Sequence, residues 1–376
     1  MVAAKRNSEV TTGNRGERPG AARELTERIS SWVRRSFGPL VMEPTGGRPS
    51  VPKQPAPGKG PATSPLQPKQ GHRQTLAVPT DTIAPQEPVV AWPPRFGAGS
   101  PAAGLPWRLP DSSAGPSGLA ADQAVVGDLH VRAASVVGAG HRCEPPATPR
   151  QDAYRLAQDR DGRYLVIAVA DGLGASSRSE LGAQVATGQA VAVIRRHLDA
   201  GRHPDEIVVT DLYLRIASSL VQSAEQRGLT PDDVRTTLTV AVVDTRPRPD
   251  GLRTLWLSRL GDCAAWYRIS NGWEAMIGAA KSSFDGNTLS EFLPHYPEAV
   301  VQKTFTIGRG AVFAVMTDGV SDALAEVNGF GQWLRDRWAE PPQLTSFVLD
   351  VDFDAPGQQD DRTAVVVWTG RESDDQ

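Results

Sequence analysis

Residues Tyr164–Leu173 read YLVIAVADGL. The run is continuous, apolar and rich in β-branched residues, too short for a core helix and far short of the roughly 20 residues that span a bilayer; it predicts a buried strand. Asp171 stands where that strand leaves the core, and Gly172 lets another backbone approach closely. Ala311–Gly319, AVFAVMTDG, repeats the design with Asp318-Gly319, and Asp360-Asp361 directly precede a third apolar strand, Thr363–Trp368. One aspartate at a strand end is an ordinary turn residue. Three such sites, delivered together, predict a place for a hard cation.

Composition limits what surrounds this design. More than half of the 31 prolines lie between Pro44 and Pro116, so the folded part must come mostly from the rest of the 376 residues. A net charge of −3 gives no electrostatic case for nucleic acid. Cys143 and Cys263 lie far apart without metal-ligand spacing, as in a reduced cytoplasmic protein with passive thiols. The start MVAAKRNSEV lacks the apolar stretch of a secretory signal, and no run is long enough for a transmembrane segment.

Taken in order, residues 1–43 form a polar segment in which Leu25, Ile29, Trp32 and Val33 recur at helical spacing beside Arg28, Arg34 and Arg35. Two readings stand: a short amphipathic helix that binds a partner, or a fraying helix ahead of a linker. Residues 44–125 read as a disordered Pro/Gly/Ala-rich linker in which Trp92, Phe96 and Trp107 either pin the tail to the domain or meet a partner. Residues 126–370 read as one folded α+β domain, with 371–376 as a tail. Strands are expected at His130–Val137, Asp152–Gln158, Thr236–Asp244, Arg253–Gly261, Ala264–Ile269 and Val300–Ile307, the middle ones as sequential antiparallel neighbours. Amphipathic helices are expected at Ser177–Leu198 and Asp205–Arg227, short ones at Asp322–Val327, Gln332–Trp338 and Leu344–Leu349, and a flap at Ala280–Glu298.

Asp152, Asp171, Asp262, Asp318 and Asp360 each adjoin a predicted strand. Carboxylates converging near buried strand ends repel unless cations neutralise them, and an all-oxygen set selects Mg2+ or Mn2+ over zinc. Two such ions would acidify a water and clamp an in-line displacement at phosphorus. No protein nucleophile is then needed, which fits the lack of a nucleophile elbow or P-loop pattern.

The segments Gln151-Asp152-Ala153, Ala170-Asp171-Gly172-Leu173-Gly174, Thr236-Thr237-Leu238, Leu260-Gly261-Asp262, Thr317-Asp318-Gly319-Val320-Ser321-Asp322 and Asp360-Asp361-Arg362-Thr363 occur in a telling order. They resemble the metal-dependent serine/threonine protein phosphatases of the PP2C class, over about Val131–Trp368. Gly138–Arg142 ahead of Arg150–Ala153 is similar to the actinobacterial-type branch. The resemblance implies a β-sandwich of two antiparallel sheets flanked by helices. It also implies two Mg2+ or Mn2+ ions bridged by Asp171, with the Gly172 carbonyl on one, Asp318 and Asp360 completing the first and Asp152 holding the second. Asp262 and Asp322 match positions of a weaker third ion, and Thr236-Thr237 match a structural pair.

Three departures stand out. Gln151 replaces a common Glu, Gly174-Ala175 replaces Gly-Gly, and Ala147 occupies the place of the phosphate-binding arginine. Arg142 is the expected substitute, ahead of His141 and Arg150, because a guanidinium pairs bidentately with phosphate oxygens. His141 is the expected general acid. The implied activity is hydrolysis of phosphoserine and phosphothreonine in proteins, opposing a cognate Ser/Thr kinase. The rival readings are a pseudophosphatase that binds phosphoproteins, an adaptor working through its N-terminal tail, and a phosphohydrolase of small molecules.

Overall fold

The computed structural model of the protein describes residues 93–110, 115–143, 145–278 and 291–370. A six-stranded antiparallel sheet has the order β1-β2-β11-β10-β7-β8, and a five-stranded one the order β3-β4-β5-β6-β9. The first contains β1 (Leu119–Val126), β2 (Leu129–Val136), β7 (Ala264–Ile269), β8 (Gly272–Ile277), β10 (Val312–Met316) and β11 (Arg362–Trp368). The second contains β3 (Ala153–Gln158), β4 (Tyr164–Ala170), β5 (Leu238–Asp244), β6 (Arg253–Leu260) and β9 (Val301–Ile307). Helix α1 (Ala139–Cys143) follows β2. The long helices α2 (Ser179–Asp199) and α3 (Val209–Glu225) join β4 to β5, and four short ones lie between β10 and β11: α4 (Asp318–Ser321), α5 (Ala323–Glu326), α6 (Phe330–Arg337) and α7 (Leu344–Val351).

All seven residues of β4 are buried because both of its faces are covered. Leu165, Ile167 and Val169 point into the layer between the sheets, where they join Leu257, Phe313, Val315 and Val365. Val166, Ala168 and Ala170 point the other way, onto Ala183, Ala186, Ile216 and Leu220 of α2 and α3. The period-2 geometry of a strand turns one apolar run into two interfaces. β10 does the same in the other sheet, with Val312, Ala314 and Met316 beneath Phe330, Leu334, Phe347 and Val351. At roughly 1.5–3 kcal/mol per fully buried large aliphatic or Phe side chain, these layers outweigh the local preferences of the short helices.

Antiparallel pairing sends the important strand ends to one edge. Ala153 pairs with Ala170, Leu238 with Leu260, Met316 with both Ala264 and Ala364, and Arg362 with Val136. The ends of β2, β4, β6 and β10 and the starts of β3, β5, β7 and β11 therefore meet there.

Several elements differ from the sequence reading. β6 and β7 are consecutive but lie in different sheets. The chain crosses at Gly261, which adopts φ +92 where an added Cβ would stand 2.5 Å from Thr237 Cγ2; that combination requires glycine. Pro204 opens a single 3-10 turn, Pro204–Glu206, and the second long helix starts only at Val209. β8 was not expected, and all but the last residue of β1 falls inside the range assigned to the linker. Both are edge strands with exposed positions, so neither carries a fully apolar run.

The linker reading also ends early at Phe96 and Trp107. Phe96 packs edge-on against Phe330, Trp333 and Phe353, and Trp107 stacks on Arg142. The candidate helix within residues 1–43, Trp92 and flap positions 280–290 lie outside the described residues. Of the flap, Leu293 exchanges backbone hydrogen bonds with Thr236.

Candidate metal centre

Asp171, Asp262 and Asp318 come from three different strand connections, and one carboxylate oxygen of each lies within 4.8 Å of the others. Asp171 follows β4, and its backbone is fixed by the Thr236-Thr237 pair. Its carbonyl accepts from Thr237 N at 2.8 Å and Thr236 Oγ1 at 2.7 Å, while its N–H donates to Thr237 Oγ1 at 3.1 Å. Asp262 lies on the β6–β7 crossover, and Asp318 opens α4 immediately after β10.

Asp152 is buried behind this group. Its Oδ2 accepts from Thr317 Oγ1 and Thr363 Oγ1, both at 2.8 Å, whereas its Oδ1 is buried with no hydrogen-bond partner among the described residues. Burial, then the charges of Asp361 and Asp360, push the Asp152 pKa well above the carboxylate range, against the two threonine bonds. Asp171 is raised likewise, by burial and then by Asp318, Asp152, Asp360 and Asp262. Mutual repulsion of this kind marks a site whose charge balance calls for a cation. Clustered oxygen donors and an orphaned buried Oδ1 fit a hard divalent ion.

Asp360 and Asp361 are neighbours with opposite environments. The Asp360 side chain is 57% exposed at the lip, and its pKa is raised to about 6 by loss of hydration and by Asp318, with His141 opposing. Asp361 is 1% exposed. Its Oδ1 accepts from Gly138 N at 2.7 Å and lies 2.9 Å from His141 Nδ1, while Oδ2 accepts from Gln151 N at 2.5 Å. This carboxylate joins the ends of β2 and the Gln-Asp-Ala segment, a role that a bare Asp-Asp pair does not announce. Burial alone would depress the His141 pKa, but its bond to Asp361 and the charges of Asp361, Asp360 and Asp152 raise it to about 9. His141, Asp360 and Asp361 thus form a second close group beside the first.

Arg142 does not join these carboxylates. One residue on from His141 along α1, it faces elsewhere: Nη2 lies 3.2 Å from Asp352 Oδ1, and Trp107 covers its guanidinium. A residue step of about 100° around a helix separates the two directions. Arg150 also has a supporting place, with Nη1 on Ser135 Oγ and the Asp152 carbonyl, both at 2.5 Å. Gly172 is pressed between backbones, since a Cβ there would lie 2.7 Å from Ser179 O and 2.9 Å from Gln151 O. Both cysteines are buried and free; Cys263 Sγ is 3.0 Å from Thr237 Oγ1, and burial, then Asp171 and Asp262, keep the thiol protonated.

Comparison with known proteins adds to this geometry. The chain is similar to a bacterial serine phosphatase (11% identity, TM-score 0.46, covering 64% of this chain and 98% of that one). It is similar to the serine/threonine phosphatase Stp1 from Staphylococcus aureus (12% identity, TM-score 0.46, 64% and 95%) and to RsbX in complex with magnesium (14% identity, TM-score 0.41, 67% and 100%). No functionally curated protein matches the sequence. Residues 138–343 match the family model of protein phosphatase 2C, a span that includes Asp152, Asp171, Asp262 and Asp318 and stops short of Asp360. Since that span is more than half of the 376 residues, the chain belongs to the protein phosphatase 2C family.

Proposed function

We propose that this protein hydrolyses phosphoserine and phosphothreonine in phosphoproteins, with Asp171, Asp318, Asp360 and Asp152 holding two Mg2+ or Mn2+ ions. The Gly172 carbonyl is a further ligand in this reading, and Asp262 serves a weaker third ion. The observation that carries it is the convergence of Asp171, Asp262 and Asp318 oxygens within 4.8 Å, beside the orphaned Oδ1 of Asp152. When bound, the cations supply Lewis acidity that acidifies water and neutralises charge developing on the phosphoryl oxygens.

The chain's own residues do the rest. Thr317 and Thr363 occupy Asp152 Oδ2, which leaves Oδ1 as the oxygen available to an ion. Thr236 and Thr237 fix the backbone of Asp171, whose carboxylate would hold the ions. Asp361 engages His141 at Nδ1, which leaves Nε2 to hand a proton to the departing serine or threonine oxygen. Arg142, engaged by Asp352, has no part in this scheme.

The full chain should release phosphate from a phosphothreonine peptide only when Mg2+ or Mn2+ is supplied, and Asp171→Asn should lower that rate by at least roughly 100-fold. Full activity in Asp171→Asn, or equal activity in excess chelator, would overturn the assignment. The neutral Gln151 in the place of an acidic residue supports one second reading, a phosphoprotein-binding domain without hydrolysis; phosphopeptide binding with no turnover on either ion would select it. We place the enzyme opposite a Ser/Thr kinase in cytoplasmic signalling. Among the described residues no helix is long and apolar enough to cross a membrane.

A further inference from the structure

The described chain begins well upstream of the family-matched span, and its first residues are strapped across the six-stranded side of the molecule. Phe96 sits among Phe330, Phe353 and Trp333, with ring centroids 5.2, 6.3 and 5.3 Å away. Next to it Arg95 Nε donates to Asp354 Oδ2 at 2.8 Å, and Ser100 N donates to Asp354 Oδ1 at 2.6 Å. Further along, Trp107 lays its ring 3.8 Å from the Arg142 guanidinium, and Arg108 N donates to the Arg142 carbonyl at 2.8 Å.

This second attachment bears on α1, and α1 bears on the metal centre. Arg142 is only 6% exposed, yet among the described residues its Nε and Nη1 have no hydrogen-bond partner. Among the described residues, the Trp107 face and Asp352 are what hold the guanidinium. Arg362, the residue after Asp360-Asp361, reaches the same Asp352 oxygen at 3.9 Å. On its other side α1 has no slack. A Cβ on Gly138 would stand 2.2 Å from the Asp360 carbonyl, and Gly140 N donates to Gln359 O at 2.9 Å. His141, adjacent to Arg142, is tied to Asp361. A displacement of α1 must therefore move segment 359–361 with it.

We infer that Trp107 is a positioning residue of the metal centre: by holding Arg142 it fixes α1, and through α1 the loop that presents Asp360. The strap upstream of the family-matched span thereby sets cation affinity. This rests on the reading of Asp360 as a cation ligand. Trp107 is 66% exposed, so replacing it opens no cavity. A ring-on-guanidinium contact open to solvent on one side limits the effect to a few-fold.

The test uses the full chain and Mn2+ alone, with binding read from loss of the electron paramagnetic resonance signal of free Mn2+. Trp107→Ala should bind Mn2+ about fivefold more weakly, and Trp107→Phe should restore binding to within about twofold. Phe96→Ala, which loosens the strap away from α1, should lower the melting temperature while leaving Mn2+ affinity within about twofold of wild type. At saturating Mn2+ the kcat and KM of Trp107→Ala for a phosphothreonine peptide should return to wild-type values. Unchanged Mn2+ affinity in Trp107→Ala, or equal weakening by Phe96→Ala, would overturn the inference. If the alanine variant did not fold, Trp107→Leu, apolar but without a π face, must show the same loss. A wild-type chain that bound no Mn2+ would instead remove the proposed function itself.

Discussion

Asp361 shows how much one buried carboxylate can organise. It is buried and accepts from two backbone amides while orienting His141, so its oxygens have no substitutes. Asp361→Asn places an NH2 group against one of these donors. Leaving such a buried group mispaired costs about 1–3 kcal/mol, so urea unfolding should show a loss of that size. Phosphate release should fall with it, because His141 and Gln151 lose their common anchor. That Asp171, Asp318 and Asp360 stand at strand ends was legible in the sequence, because each adjoins an apolar run. The division of labour within Asp360-Asp361 was not, since adjacent side chains in extended backbone point to opposite sides and the letters do not say which side is wet. Arg142 had suitable chemistry for phosphate, but a one-residue offset on α1 turned it toward Asp352.

At the scale of elements, the segment that presents Asp360 is pressed by backbone on two sides. Gly138 approaches it from the end of β2, and Gly319 from α4, where a Cβ would lie 2.0 Å from the Asp361 carbonyl. Alanine at either position must push the segment aside, at a typical overpacking cost of about 1–3 kcal/mol. Each variant should melt at a lower temperature and need more Mn2+ for half-maximal phosphate release. β4, β10 and β11 were legible because coverage on both faces leaves a continuous apolar run. β1 and β8 were not, because an edge strand with one wet face looks like loop. The split of β6 and β7 between sheets was hidden too, since antiparallel neighbours and a crossover have the same local pattern.

For the whole molecule, the folded unit starts earlier than the change in proline content suggests. A chain starting at Val126 would lose β1, whose register with β2 runs from Leu119↔Val136 to Val126↔Leu129, and with it the Phe96 and Trp107 contacts. β2 would become an unprotected edge. Thermal unfolding of residues 93–370 should match that of the full chain, whereas residues 126–370 should melt roughly 10 °C or more lower.

The acidic edge has a mechanical consequence as well. Asp152 and Asp171 hang from the five-stranded sheet, Asp318 and Asp360 from the six-stranded one, and Asp262 from the strand connection between them. Ions shared across that set would act as rivets between two plates otherwise joined by apolar contact, which yields gradually under load. A cation-loaded molecule pulled apart should therefore part its sheets abruptly and at higher force, with the brittle point at the acidic edge.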